Sequence, residues 1–519
     1  MDHFRLSAAE FESLAAGYGD RHALAQLRAG QRAVRRLQLA AIAARSGELP
    51  VEVRERLEAA VALIEQAEVF EYPLLGAWAT ACLQRLAGTP GGVPVDIEFG
   101  YLGGVAAAAA ARAGMEFEVV VPAWDGRVVL PTLGTVELSG LVTVRGDADG
   151  ITCTGDGPVV RVPRPYDVDV VGWRARRRVG PLALDDDDPY RACFGLPTTD
   201  RLDAETHARL AATTAGAIEL IETRYERYAP GVHILLDSIV PLAGRSVSSA
   251  SRLAGGAVAV ALTDDPAELA LLLIHEVQHM KLGALLDLVD LYVPDGTTLH
   301  HAPWRADPRP VGALLQGVYA HLGVADYWRT CGQAAGRYEF AYWAEQTRRA
   351  AATLATSGEL TETGDRFVAR LRETLDGWAD EPVAPDVVAE VADSLTSAAV
   401  VWRLCNYEPV DVGTLAATWR RGEPCGAVPP PTVVPGAAPG PARPPAGGPT
   451  TPAAGRDAVE RTDDPAAWAA LAVALRHAGH PAADAVTARP DLVRAVYRAV
   501  RPGAIDDVAE WLLPVLTAG

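Results

Sequence analysis

The sequence contains a single lysine, Lys281; every other one of its 47 basic side chains is arginine. Arginine used so uniformly reads as a coding bias. The retained lysine is either a remnant of drift or a functional group, because a compact ammonium and a planar guanidinium are not equivalent donors. Positive charge is scarce overall: 66 acidic against 47 basic residues give a formal charge of −19. That argues against general binding to nucleic acid or to an anionic membrane surface, both of which need basic faces. A small anionic ligand would need a local basic pocket. The six cysteines, at 82, 153, 193, 331, 405 and 425, include no Cys-x-x-Cys. This excludes a zinc ribbon or an iron–sulfur site of ordinary spacing and suggests a reducing compartment. The first residues lack the charged-then-apolar order of a signal peptide. No flanked apolar run reads as long enough for a membrane span, since Leu269–Ile274 is short and leads straight into charged residues. The expectation is a cytoplasmic protein with no membrane and no nucleic-acid partner.

What is present is ample apolar content, 49% over 519 residues, enough for several folded domains. The expected class is α+β and predominantly helical. Residues 1–112 have helical spacing of apolar positions. From 113 to 185 the runs 116–121, 127–130, 136–138, 141–144 and 159–162 are short, β-branched and punctuated by turns, which predicts a small antiparallel sheet. Arg174, Arg176, Arg177 and Arg178 precede Asp185 to Asp188 and read more readily as a solvated connecting loop than as a phosphate or peptide site. Residues 186–420 form the expected metal-binding catalytic domain, with a helix over 204–227 and strands at 231–236 and 257–262. A polar loop, Ser246–Ser251, lies between those strands. Residues 421–455 are Pro/Gly-rich and read as a linker, followed by a C-terminal helical module over 456–519. In that module His477 and His480 read as surface residues.

The densest chemical signal is Leu271-Leu-Leu-Ile-His275-Glu276-Val-Gln-His279-Met-Lys281. Thr263-Asp-Asp265-Pro266-Ala-Glu268 is a good helix start, and Pro294-Asp295-Gly296 a stop, so the motif lies on a helix from about 266 to 291. Residues four apart share one helical face, so His275 and His279 can offer two imidazole nitrogens to one metal ion. Glu276 sits about 100° round the helix, and Lys281 some 120° or more from the histidines' mid-line.

Two histidines leave the ligand set incomplete. Glu339, an acid among aromatics in Arg337-Tyr-Glu-Phe-Ala-Tyr-Trp343, is the first choice for the third ligand, since a buried acid is costly unless paired or metal-bound. His321 is the second choice, or a residue that orients Glu276 or a bound co-substrate. Both are also compatible with ordinary core hydrogen bonding. Asp287 and Asp290 are about 12 Å and 16 Å along the helix from His279 and cannot share its metal. In the proline-fixed loop Ala302-Pro-Trp304-Arg305-Ala-Asp307-Pro-Arg309-Pro, the arginines either clamp a carboxylate or are stapled by Asp307. The same ligands suit Zn(II) with Glu276 as general base of a peptidase, or non-haem Fe(II) with three positions left for a 2-oxoacid and dioxygen. Spacing does not separate these readings, although nearby cations suit the second.

The stretch from His275 to Val289, the Trp304–Arg309 loop and Leu315-Gln316-Gly-Val-Tyr-Ala-His321-Leu together resemble the αKG-HExxH-type peptide β-hydroxylases, bacterial modifiers of ribosomally made peptides. Glu339-Phe-Ala-Tyr-Trp343 is similar to that family's later helix, and the likeness spans about residues 195 to 400. The resemblance implies an Fe(II) enzyme that uses 2-oxoglutarate and O2 to hydroxylate a β-carbon of a precursor peptide. Iron would sit on His275, His279 and a third ligand, Glu339 first. The far carboxylate of 2-oxoglutarate would meet Arg305, Arg309 or Lys281, and Glu276 would support rather than act as a base. The sequence carries no radical SAM cysteine cluster, so any such maturase would be a separate protein. A third class, a metal-bearing but inactive scaffold that delivers the peptide, fits the terminal extensions equally well.

Overall fold

The computed structural model of the protein describes residues 5–67, 71–245, 247–293, 296–332, 334–408, 410–434, 451–501 and 504–516. Its class is α+β and predominantly helical, as expected. The chain forms two compact units, Met1–Val289 and Asp290–Gly519. This boundary falls inside the expected 186–420 domain, with the motif helix in the first unit and His321 and Glu339 in the second.

The first unit opens with α1 (Ala8–Ala15), α2 (Arg21–Ala44), α3 (Val51–Ala67), α4 (Leu75–Leu86) and α5 (Val95–Ala113). Local chemistry starts the first two. Ser7 and Glu10 form a reciprocal capping box, and Asp20 accepts the amides of His22 and Ala23. Helix α5 is rich in Gly and Ala because it lies hard against a sheet: a Cβ on Gly104 would sit 2.2 Å from the carbonyl oxygen of Val129. Ala107, Ala108 and Ala111 share a core with Val119, Val142 and Trp173.

That sheet region holds β1 (Phe117–Pro122), β2 (Val128–Leu130), β3 (Gly134–Val136), β4 (Ser139–Gly146), β5 (Gly150–Asp156), β6 (Val160–Pro163) and β7 (Trp173–Ala175). It is antiparallel, as expected, in two pieces ordered β1-β4-β5-β6 and β2-β3-β7. After β8 (Arg178–Val179) and β9 (Leu182–Leu184) come α6 (Ala204–Thr223), α7 (Ala229–Leu235), β10 (Ser238–Leu242), β11 (Ser248–Ala250), β12 (Ala257–Ala261) and α8 (Pro266–Leu286). A third sheet, ordered β11-β12-β10-β9-β8, runs β10 parallel to both β12 and β9.

Two expectations need correction here. Residues 231–236 are not a strand: the apolar run is taken by α7, and the strand follows at Ser238–Leu242 with all five residues buried. A short apolar run has no period of its own to choose between the two. The arginine and aspartate runs are not a solvated loop either. Arg174 lies in β7 and Arg178 in β8, β9 leads into the aspartates, and Asp185, Asp186 and Asp188 are buried. Arg176 donates to Asp185, Arg177 pairs with Asp186 and Arg201 with Asp187. Asp188 accepts the hydroxyls of Tyr72 and Tyr101 at 2.7 and 2.6 Å.

The second unit is helical: α9 (Val311–Cys331), α10 (Ala334–Ala355), α11 (Glu362–Asp376), α12 (Pro385–Asn406), α13 (Gly413–Arg420), α14 (Pro452–Thr462), α15 (Pro465–His477), α16 (Ala482–Ala488), α17 (Pro490–Val500) and α18 (Ile505–Leu516). The C-terminal helices share one core with α12 and α13, where Val400, Val401 and Leu415 pack with Trp468, Leu492 and Val508. His477 bonds Asp393 on α12 and is half exposed. Residues 435–450 of the expected linker, Pro294 and Asp295 of the expected helix stop, and Ser246 of the polar loop lie outside the described residues.

Candidate metal centre

Helix α8 begins where the sequence places it. Asp265 caps it by accepting the amide of Ala267 at 2.9 Å, Pro266 takes the first position, and Thr263 donates to Glu268 at 2.6 Å. It ends at Leu286, a turn earlier than expected, where Asp287 leaves the helix to receive Arg252 and Gln31. By length and mean hydropathy (1.3 over 18 residues) α8 could cross a membrane, contrary to the expectation that no run suffices; 67% of that window is buried inside the fold. An apolar helix buried on most sides is also what a core helix looks like.

Within this apolar setting the two motif histidines are half-buried and mutually close. Nε2 of His275 lies 3.2 Å from Nε2 of His279, and the rings are nearly perpendicular, at 81°. Two nitrogens so spaced, each about 2.1 Å from a shared ion, would subtend about 100° there. That is the angle of two adjacent coordination positions, so the pair fits a metal ion. Among the described residues no group of three or more His, Cys, Asp or Glu side chains is arranged to hold one.

Glu276 is 1% exposed, and burial raises its pKa against the opposing pull of His279 and Ser248. Its Oε1 accepts the Ser248 hydroxyl at 2.6 Å and lies 3.9 Å from Nε2 of His275. The amide of Ala250 also bonds this carboxylate. Its Oε2 is buried without a hydrogen-bond partner among the described residues. Ser248 and Ala250 belong to β11, the edge strand beside β12. Sequence reasoning missed both, taking 246–251 for a loop. The signal available was only the short Ser-Val-Ser alternation of 246–248.

Lys281 is fully buried. Its Nζ donates to the carbonyls of Gly17 and Tyr18 at 2.7 and 3.0 Å and lies 5.7 Å from the Tyr228 ring. Burial pushes its amine down to about 7. These contacts tie α8 to the turn between α1 and α2, a setting different from a carboxylate clamp.

In the second unit, Arg305 and Arg309 both hold Asp307, at 3.1 and 2.9 Å. This is the staple arrangement. His321 is buried and stacked on Trp304, with ring centroids 4.2 Å apart, and against Trp343 at 5.0 Å. Its Nδ1 lies 2.9 Å from the Gly317 carbonyl, an acceptor that calls for a proton on Nδ1. Glu339 is half-buried and accepts the Trp343 indole N–H at 3.0 Å. The structure thus brings His275, Glu276 and His279 together in one unit, and His321, Trp343 and Trp304 together in the other. No protein-family model and no curated protein matches the chain.

Proposed function

We propose that the chain is an Fe(II)- and 2-oxoglutarate-dependent oxygenase that hydroxylates a β-carbon in a ribosomally made precursor peptide. The observation that carries the metal part of this reading is the 3.2 Å separation of the two imidazole Nε2 atoms. The resemblance of the three motifs supplies the reaction class. His275 and His279 would hold the iron. Bound iron would supply the chemistry that couples decarboxylation of 2-oxoglutarate by O2, giving succinate and CO2, to transfer of one oxygen atom into the peptide C–H bond.

The protein's own residues support that chemistry in distinct ways. Glu276, buried and bonded by Ser248 and Ala250, acts as a fixed acceptor that orients its neighbours. Arg305 and Arg309 present a fork already filled by the Asp307 carboxylate. A ligand carboxylate would have to displace Asp307 to use that fork. Lys281 is assigned to holding α8 in place.

A second reading, a Zn(II) peptidase, is favoured by one observation: beside the histidine pair, Glu276 Oε2 has no hydrogen-bond partner among the described residues, as a base that takes a proton from water would. The deciding assay gives anaerobically purified protein Fe(II), 2-oxoglutarate and then air, beside a Zn(II) peptide-cleavage assay. Succinate that is lost in His275→Ala and survives Glu276→Gln is the expected result. Zinc-dependent cleavage abolished by Glu276→Gln, with no succinate, replaces the oxygenase with a peptidase. Neither activity, with metal still bound, favours the delivery scaffold.

A further inference from the structure

An arginine-lined cleft lies in the first unit, on a different side of the motif helix. Met280 and Ala284, which form part of its wall, each follow a motif histidine by five residues, about 140° further round α8. Counted with the open solvent at its mouth, the cleft spans about 380 Å³, and Arg28, Arg32 and Arg35 line it from α2. At spacings of four and three these side chains form one stripe. Such a row of like charges opposes helix formation unless anions answer it.

Two carboxylates face the row among the described lining residues. Arg28 donates to Asp237 at 2.8 Å and reaches Glu71 at 3.4 Å, and Arg32 pairs with the other oxygen of Glu71. Arg35 is buried and donates to the Gly255 carbonyl. Burial, together with Arg28 and Arg32, lowers its pKa to about 10, against the pull of Asp237. The floor is held open by glycines: a Cβ on Gly255 would meet Gln31 at 2.5 Å, and one on Gly256, where φ is +111°, would meet Asp237 at 2.9 Å.

We propose that this cleft binds a small carboxylate ligand through Arg28 and Arg32, with Arg35 setting the positive field behind them. Glu71 occupies the mouth as an internal carboxylate. It is 45% exposed, and Arg32 is 46% exposed, so both can rearrange at little cost. A ligand carboxylate takes the place of Glu71 and gains paired, charge-assisted bonds in a partly dry cavity. The site is independent of the metal centre, and its occupancy braces α2 against α8.

The test is calorimetric titration of the EDTA-treated full-length protein with succinate, at constant ionic strength, beside the uncharged analogue succinamide. Succinate binds and succinamide does not. Arg32→Gln and Arg28→Gln each weaken binding about tenfold, the loss expected for one charge-assisted pair. Glu71→Gln tightens it, and His275→Ala leaves it unchanged. No heat with succinate, or binding insensitive to both arginine variants, overturns the proposal. So does binding that falls with His275→Ala, which assigns the ligand to the metal centre. Circular dichroism of the arginine variants confirms that their fold is intact.

Discussion

Two regions of this molecule are built from the same pair of residues, arginine and aspartate, and use them oppositely. In the first unit Asp185, Asp186 and Asp188 are no more than 4% exposed, and arginine or tyrosine partners meet them inside the fold. In the second unit Arg305, Asp307 and Arg309 make one staple on a loop where Asp307 is 45% exposed. The pairs look alike on paper. The difference is solvent: a buried charge that loses its partner has no water to replace it, whereas an exposed one does. The first cluster is therefore part of the architecture. The second is a surface staple whose loss water can largely offset.

The largest effect should come from breaking the buried set. Asp186→Ala strands Arg177 and removes the acceptor for the Leu202 amide. It should cost roughly 3–5 kcal/mol in urea unfolding, and a loss under 1 kcal/mol would erase the contrast. Next comes Asp188, whose carboxyl burial pushes up to about 6 although Tyr72 and Tyr101 donate to it. The folded state then holds this proton more tightly than the unfolded chain. Its contribution to stability is most favourable below pH 4 and falls as pH rises to about 6, by roughly 1.4 kcal/mol per pH unit. Comparing wild type with Asp188→Asn across pH 4–7 should show that slope vanish.

Smaller still, and local to the candidate metal centre, Ser248→Ala removes the hydroxyl that holds Glu276. Co(II) affinity should drop roughly tenfold and recover in Ser248→Thr. Unchanged affinity would show that Glu276 needs no support from β11. Smallest is Asp307→Ala, expected to change unfolding free energy by less than about 1 kcal/mol. A loss matching that of Asp186→Ala would mean that the staple is as architectural as the buried set.

Local signals were read well. Asp265-Pro266 begins α8, the four-residue spacing sets His275 against His279, and the turn-punctuated valines of 117–163 form antiparallel strands. Each depends on backbone period or capping, which a short stretch of chain contains in full. The Gly231–Leu236 run was misread because period alone cannot divide a short apolar stretch between helix and strand, and β10 is recruited by β9 and β12 on either side. Lys281 stood out as a lone ammonium, but its partners, the carbonyls of Gly17 and Tyr18, lie over 260 residues away in the chain.

The sequence by itself determined the helical character of the chain, the motif helix and the pairing of its two histidines, because these are properties of neighbours along the backbone. Only the tertiary structure decided that Ser248 grips Glu276, that Lys281 secures a turn, that the aspartates of 185–188 lie inside, and that three arginines of α2 share a cleft. Those outcomes depend on which distant groups exclude water from a charge, and burial is a property of the assembled fold.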